Sequence, residues 1–288
     1  MESMDARQTG ADTVKEIMTH WVKTIASSDS LLQARDAMNE NHTSQLVVVD
    51  HRQRGIGIIS KRDIARFLLE DQTDRDIEKI LVSEASSKSL FTVRSDLAVV
   101  NAARLFDTDN VSFAVVTNEN PLIGIITETD LCHYFSQRSL GRFEVKDFMQ
   151  SDFIFAKTTY PVVHVAHAIV FRQPSVPVID EELVGILTLS DVLSVKERIP
   201  QAKNGWLGRH DANNAAFIAT KDVMTRNPVV TREDTDLAQA GQLIISKGVS
   251  SLPVVDHNSK VVGLLAKHDI VKALGRFDGS IVLEAKGH

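Results

Sequence analysis

A pattern of glycine, two apolar residues, three variable residues and aspartate occurs four times in this chain and strongly constrains its fold. The copies span residues 57–63, 124–130, 185–191 and 263–269. Their aspartates lie 67, 61 and 78 residues apart. Self-similarity at such a period is typical of one structural unit used repeatedly. The sequence therefore predicts four related units.

Each unit also contains apolar residues at helical spacing, followed by a short Val-rich run. The helical spacing is clear in units two and four, at Ala98, Ala102, Leu105, Phe106, Leu237, Ala240, Leu243 and Ile244. Residues at i, i+3, i+4 and i+7 form one apolar helix face. The Val-rich runs at 46–49, 113–116, 176–179 and 252–255 predict buried strands. A second helix is expected to start at each aspartate, so each unit is roughly helix, strand, helix, strand, strand, helix.

These motifs resemble those of CBS domains, named for cystathionine β-synthase. Unit four shows the matching residues most fully: Val223-Met224-Thr225-Arg226-Asn227-Pro228, then Ser251-Leu252-Pro253-Val254-Val255-Asp256. The resemblance covers most of the chain. It implies an α+β fold of four CBS units, each β-α-β-β-α. It also implies that unit one pairs with two, and three with four, around pseudo-two-fold axes, with ligand clefts between partners.

The repeats and the segments between them predict the domain boundaries. We expect a disordered N-terminus at 1–10, units at 11–76, 77–140, 141–198 and 220–277, a linker at 199–219 and a flexible tail at 278–288. Trp206 lies in the linker, where it either packs on its own module or contacts a partner.

Composition limits the possible functions. The chain has 43% hydrophobic residues, a net charge of −6 and one cysteine. No apolar stretch approaches the ~18 residues that cross a bilayer, and the N-terminus does not resemble a signal peptide. A single cysteine allows no internal disulfide, which fits the cytoplasm. The net negative charge is not typical of a nucleic-acid-binding protein, which usually has a basic surface. Lys61 and Arg62 form only a small basic cluster.

The four aspartates have a structural interpretation. Ser60, Thr127 and Thr188 each precede an aspartate by three residues. A hydroxyl can cap a helix N-terminus, and an acid three residues later favours the positive end of the helix dipole. A capping box normally uses Glu or Gln at that position. We expect Asp to reach the cap N–H less well, which hints at another role.

The functional interpretation uses the same groups for ligand binding. A carboxylate can accept both ribose hydroxyls, and a helix N-terminus beside Ser or Thr can hold a phosphate. The CBS resemblance implies this arrangement, with walls supplied by the paired unit. The first candidate site combines Thr188, Ser190 and Asp191 with Asn227, Pro228, Val249, Ser250 and Ser251. Arg226 is the only nearby cation, so AMP or an uncharged adenosyl group suits it better than ATP.

Three further clefts follow from the same resemblance. Ser60, Lys61, Arg62 and Asp63 would face Val111 and Ser112, and their positive charge suits a polyphosphate. Thr127 and Asp130 would face 43–45, with Glu128 unfavourable for phosphate. Asp269 would face 151–153 and 174–175 with Lys267 and His268 beside it, but Ala266 replaces the hydroxyl residue.

Catalytic motifs are not evident. His164 and His167 have helical spacing without further metal ligands, and Cys132 follows Asp130 near a helix start without an assignable base. We therefore expect a non-catalytic sensor with no obligatory cofactor, which binds AMP, ADP, ATP or S-adenosylmethionine. It would act as a homodimer on a separate effector protein of unknown identity. A ligand-free scaffold and a nucleic-acid-binding regulator are the alternatives.

Overall fold

The computed structural model describes residues 12–71, 75–118, 122–195 and 218–277. The predicted segments 1–10 and 278–288, the linker up to residue 217, and Trp206 lie outside these ranges. Within them, four small three-stranded sheets alternate with helices, which confirms the predicted α+β class. No helix of the described part combines the length and apolar character needed to cross a membrane.

Units one and two have the same order of elements. Unit one contains α1 (Val14–Ile17), β1 (Thr24–Ala26), α2 (Leu31–Glu40), β2 (Gln45–Val49), β3 (Gly55–Ser60) and α3 (Lys61–Glu70). Unit two follows a 3-10 turn (Ile77–Lys79) and contains α4 (Val82–Ala85), β4 (Thr92–Arg94), α5 (Val99–Thr108), β5 (Phe113–Thr117), β6 (Leu122–Thr127) and α6 (Glu128–Arg138).

Units three and four vary this order slightly. Unit three has a 3-10 turn (Val145–Asp147), α7 (Val162–Phe171), β7 (Ser175–Ile179), β8 (Leu183–Thr188) and α8 (Leu189–Leu193). Unit four has α9 (Thr220–Val223), β9 (Thr225–Arg226), β10 (Thr231–Arg232), α10 (Leu237–Lys247), β11 (Ser251–Val255), β12 (Val261–Ala266) and α11 (Lys267–Gly275).

The predicted helix positions need two corrections. Each second helix begins two residues before its aspartate, because the residue ahead of it (Ser60, Thr127, Thr188 or Ala266) is the N-cap. Leu105, predicted on the apolar face of α5, is 38% exposed, whereas its neighbour Phe106 is fully buried. The apolar face of α5 is therefore narrower than the sequence suggests.

Backbone bridges between units build the predicted pairs. Thr19 bridges to Ile125 and Ser87 to Ile58, so each of units one and two places its leading segment, the residues just after its first short helix, against the other's sheet. In the second pair, Gln150 bridges to Leu264, and β9 adds to β8 as a third strand. Units one and two therefore form one pair, and units three and four the other, as predicted.

The two pairs pack together through their helices within one chain. One hydrophobic cluster joins units one and three, with Leu68 and Ile169 among its buried residues. A second cluster joins units two and four, with Phe135 and Ile244 among its buried residues. Unit one thus faces unit three, and unit two faces unit four.

Close approach of α10 to α6 requires a glycine. Gly241 is buried on α10, and a Cβ there would clash with Oγ of Ser136 on α6. That hydroxyl donates to the Cys132 carbonyl at 2.7 Å, so rotating it away would break a buried hydrogen bond. The contact sets how near units two and four can lie.

We expect Gly241→Ala to lower the free energy of unfolding by up to roughly 2 kcal/mol. Overpacking costs about 1–3 kcal/mol, which outweighs the gain of up to ~1 kcal/mol from replacing a helical glycine. Urea unfolding would measure the difference. In a Ser136→Ala background the clash partner is gone, so the same substitution should become neutral or stabilising. Destabilisation of equal size in both backgrounds would contradict this account.

Candidate functional site

Each motif aspartate binds its own helix N-terminus through one carboxylate oxygen. Oδ2 of Asp191 accepts from the Thr188 backbone N–H at 2.9 Å and from its hydroxyl at 2.8 Å. The same bonds occur at Asp63 (2.9 and 2.6 Å) and Asp130 (2.8 and 2.7 Å). From its own helix start, Asp269 accepts only the Ala266 N–H, at 2.8 Å, because Ala266 has no hydroxyl. The expectation that Asp reaches a cap N–H less well is therefore wrong.

In the second pair, the other carboxylate oxygen contacts the partner unit. The Thr225 hydroxyl of unit four donates to Oδ1 of Asp191 at 3.2 Å. The Gln150 side-chain amide of unit three donates to Oδ1 of Asp269 at 3.3 Å. Thr225 and Gln150 each directly follow a methionine at the start of a unit. These two aspartates thus lie where two paired units meet.

Burial differs among the four carboxylates. Asp191 and Asp269 are only 4% and 5% exposed, whereas Asp63 and Asp130 are half-buried. Burial raises the pKa of Asp130, and the hydrogen bonds from Thr127 offset part of that rise. Burial raises the pKa of Asp269 to about 6, because the Ala266 N–H and Gln150 only partly compensate for the lost water. Asp269 therefore titrates close to neutral pH.

The structure places the predicted wall residues in three settings, of which the first two adjoin the first candidate site. Asn227, with φ of 50°, and Pro228 directly follow β9 on the sheet of unit three. The Ser251 hydroxyl meets that of Ser175 at 2.5 Å, and Ser175 pairs with Thr188 in the sheet, which brings Ser251 to the first candidate site.

The other wall segments lie against their own unit. The carbonyls of Ser44, Ser112 and Ser250 accept from the first backbone N–H of α3, α6 and α11, at 2.9, 3.0 and 3.3 Å. Val111 and Val249 pack against the second hydrophobic cluster. The three backbone hydrogen bonds are within units one, two and four, rather than across a pair.

The starts of the second helices meet across the two pairs. Nζ of Lys61 in unit one contacts Oγ of Ser190 in unit three at 3.5 Å. Nζ of Lys267 in unit four donates to Oγ1 of Thr129 in unit two at 3.0 Å. Beside it, His268 hydrogen-bonds Glu128 through Nδ1 at 2.9 Å. Cations of units one and four therefore reach the helix starts of units three and two.

These cations are partly dehydrated. Burial lowers the pKa of Lys61 and of Lys267. Desolvation by nearby protein atoms also lowers the pKa of Arg62, although its side chain stays exposed. Glu128 acts electrostatically on both Arg62 and Lys267, and its hydrogen bond raises the pKa of His268. A negative ligand group would relieve the desolvation cost of these charges.

Sequence reasoning missed three features of this region. Lys61 supplies the charge that the Thr188–Asp191 site lacked in the sequence, and this depends on the packing of unit one on unit three. Gln150 was not singled out, although it directly follows Met149. Trp21 is 86% exposed and lies two residues after Thr19, in the leading segment that bridges to unit two.

The other side chains with reactive groups, a cysteine and a histidine, are packed against neighbouring residues of the fold. Cys132 is buried, and burial raises its pKa to about 12, so the nearby helix start does not activate the thiol. The His167 ring stacks near Phe171, with centroids 4.5 Å apart. Among the described residues, no three His, Cys, Asp or Glu side chains are arranged to hold a metal ion.

Comparisons with known proteins extend over the whole fold. Four stretches match the CBS domain, at residues 14–70, 82–137, 145–198 and 220–276. The chain is 25% identical over 272 residues to uncharacterized protein MJ1225 of Methanocaldococcus jannaschii, covering 87% of this chain and 94% of that protein. It is 24% identical over 273 residues to an uncharacterized 33.4 kDa protein of Thermofilum pendens, covering 88% of each. The crystal structure of MJ1225, described as a candidate archaeal homolog of g-AMPK, matches this chain with a TM-score of 0.77 and 23% identity. The match covers 91% of this chain and 99% of that one.

We expect ionisation of Asp269 to make stability depend on pH. Its pKa rises from 3.8 to about 6 on folding, so the folded protein holds this proton more tightly than the unfolded chain. The resulting stability is complete below about pH 4 and is lost as the pH rises through 6. Asp269→Asn can still accept the Ala266 N–H but does not ionise. It should gain stability over the wild type by up to roughly 3 kcal/mol between pH 4 and 7.

Chemical unfolding at several pH values would test this. His268 has a raised pKa of its own, so the comparison should be repeated in a His268→Gln background. A stability difference between the wild type and the Asp269→Asn variant that does not change with pH in either background would contradict the assignment.

Proposed function

This chain belongs to the CBS domain family, and on that premise we propose that it is a non-catalytic regulatory protein. It binds an adenosine-containing ligand, namely AMP, ADP, ATP or S-adenosylmethionine, in clefts between paired units. The contact between Asp191 and Thr225 supports this proposal most directly. It places a buried carboxylate oxygen of unit three against a hydroxyl of unit four.

A ribose fits the chemistry of this contact. The cap occupies Oδ2 of Asp191, and Oδ1 accepts a hydroxyl from Thr225. A ribose diol carries hydroxyl donors of the same kind and could take over that interaction. Because a carboxylate accepts charge-assisted hydrogen bonds, the exchange can be favourable even in a buried cleft.

The cations support a phosphate group beside that ribose. Lys61 reaches Ser190 at the start of α8, and helix N-termini attract anions. AMP would then contact both pairs, with its ribose on the second pair and its phosphate near a lysine of the first. Alternatively, Lys61 and Arg62 would contact a polyphosphate bound beside Ser60 and Asp63.

Regulation would follow from bridging. A ligand shifts a conformational equilibrium only by its different affinities for the two states. A ligand that ties units three and four together, and tethers Lys61 of unit one, binds best when the pairs are packed as here. The altered surface would act on a separate effector protein in the cytoplasm, as a homodimer in this proposal. The net charge of −6 disfavours nucleic acid as that partner.

We expect adenosyl compounds, but not GMP, to raise the melting temperature of the purified protein. A ligand at ~100 Kd adds about 2.7 kcal/mol of stability. Asp191→Asn should abolish the shift that arises at this site, since its amide can keep the cap but cannot accept a ribose hydroxyl. Asp222→Asn is the matched control, because Asp222 caps Ala219 on α9 in the same way. No shift with any adenosyl compound would favour the scaffold alternative.

We expect Lys61→Met to weaken AMP binding about tenfold while changing adenosine binding less than about twofold. The substitution removes the charge that would contact phosphate and keeps the apolar stem. Calorimetric titration of both ligands separates the two effects, with Lys221→Met on the exposed part of α9 as the control. Equal losses for AMP and adenosine would place the phosphate elsewhere.

A further inference from the structure

We infer that Trp21 is the base-stacking residue of the cleft containing Thr127 and Asp130, and that this cleft binds the purine ring of an adenosyl ligand. The inference rests on the proposed function and extends it to a second cleft and to recognition of the base.

The backbone on both sides of Trp21 is fixed. Thr19 and Ile125 exchange two backbone hydrogen bonds of 2.9 Å each. Met18 lies so close to Gly124 that a Cβ there would be 2.8 Å from its Sδ. On the other side, Val22 packs against the cluster of Val47, Ile58 and Val115 between the two sheets. Trp21 nevertheless remains 86% exposed, so a large aromatic ring stands in solvent on an anchored segment.

The pseudo-symmetry of the pairs places the leading segment that contains Trp21 beside the motif of Asp130. Thr225 pairs with Ile186 in the sheet, and its hydroxyl donates to Asp191. Asp191 follows Ile186 by five residues. Thr19 bridges to Ile125, which precedes Asp130 by the same five residues. Thr19 therefore occupies the register position relative to Asp130 that Thr225 occupies relative to Asp191, and Trp21 follows two residues later.

The other three clefts have no aromatic residue at this position. Counting two residues beyond each bridging residue gives Ser89, Asp152 and Asn227. Exposed tryptophan is otherwise unfavourable, because its large apolar surface remains in contact with water. A purine ring stacked on it would cover that surface, and such stacking tolerates any planar base. Trp21 thus distinguishes the Asp130 cleft from the other three as the one suited to stack a planar ring of the ligand.

The test uses the two tryptophans of this chain. In a Trp206→Phe, Asp191→Asn protein, Trp21 is the sole tryptophan and the first candidate site is disabled. Titration with AMP should change the Trp21 fluorescence, whereas ribose 5-phosphate, which lacks a base, should not. Adding Asp130→Asn should remove the response.

Affinity measurements then test whether stacking contributes to binding. By calorimetry in the same background, Trp21→Ala should weaken AMP binding roughly 5- to 100-fold, and Trp21→Phe less than about threefold. If AMP binding depends on Asp130 but is unchanged by Trp21→Ala, and the fluorescence does not respond, the stacking role is overturned. If only the Asp191 site binds AMP, the inference fails and the proposed function stands. If no cleft binds any adenosyl compound, both fail.

Discussion

The insertion of each unit's leading segment against its partner's motif glycine is the contact on which the rest of the structure depends. A Cβ on Gly124, Gly185 or Gly263 would lie within 3.0 Å of a partner methionine sulfur. At Gly57 the partner segment has serine in place of methionine, and the Ser87 backbone approaches even more closely. The repeated glycine is therefore needed because the partner unit packs closely against it, and not because the chain turns there. An isolated unit would lack this contact, which explains why the repeats occur as pairs.

The same insertion creates the candidate sites. It carries the residue after the methionine to the motif aspartate, as Thr225 reaches Asp191 and Gln150 reaches Asp269. Helix packing between pairs then brings Lys61 and Lys267 to the opposite helix starts. The Asp191 cleft consequently combines groups from units three and four with a charge from unit one.

The structural and functional interpretations of the aspartates are compatible, because a cap needs only one carboxylate oxygen. In Asp191 and Asp269, one oxygen completes a helix cap that typically contributes about 1 kcal/mol, and the other faces the partner unit. Burial without full compensation raises the pKa of Asp269 to about 6. A carboxylate kept for capping alone could stay exposed, as Asp222 does on α9. The burial of Asp191 and Asp269 follows from their position where two paired units meet.

Local sequence patterns predicted the fold well because the core repeats depend on residues close in the chain. Helical spacing, Val-rich runs and Ser/Thr–Asp caps are all set within a few residues, and the pairing followed from the family resemblance. The cross-pair contacts of Lys61 and Lys267 could not be predicted, since they depend on which pair faces meet. Leu105 was misplaced for a related reason: helical period shows that a face is apolar, but not how far the neighbouring helix covers it. The position of Trp21 shortly after Met18-Thr19 could be recognised in the sequence, although only the structure shows that its side chain is exposed.

The most direct test of the central claim is a crystal structure of the protein grown with AMP. The account predicts AMP between units three and four, with its ribose hydroxyls on Oδ1 of Asp191 in place of Thr225, and its phosphate within reach of Lys61. AMP bound away from the motif aspartates, or clefts that stay empty at saturating AMP and S-adenosylmethionine, would contradict it.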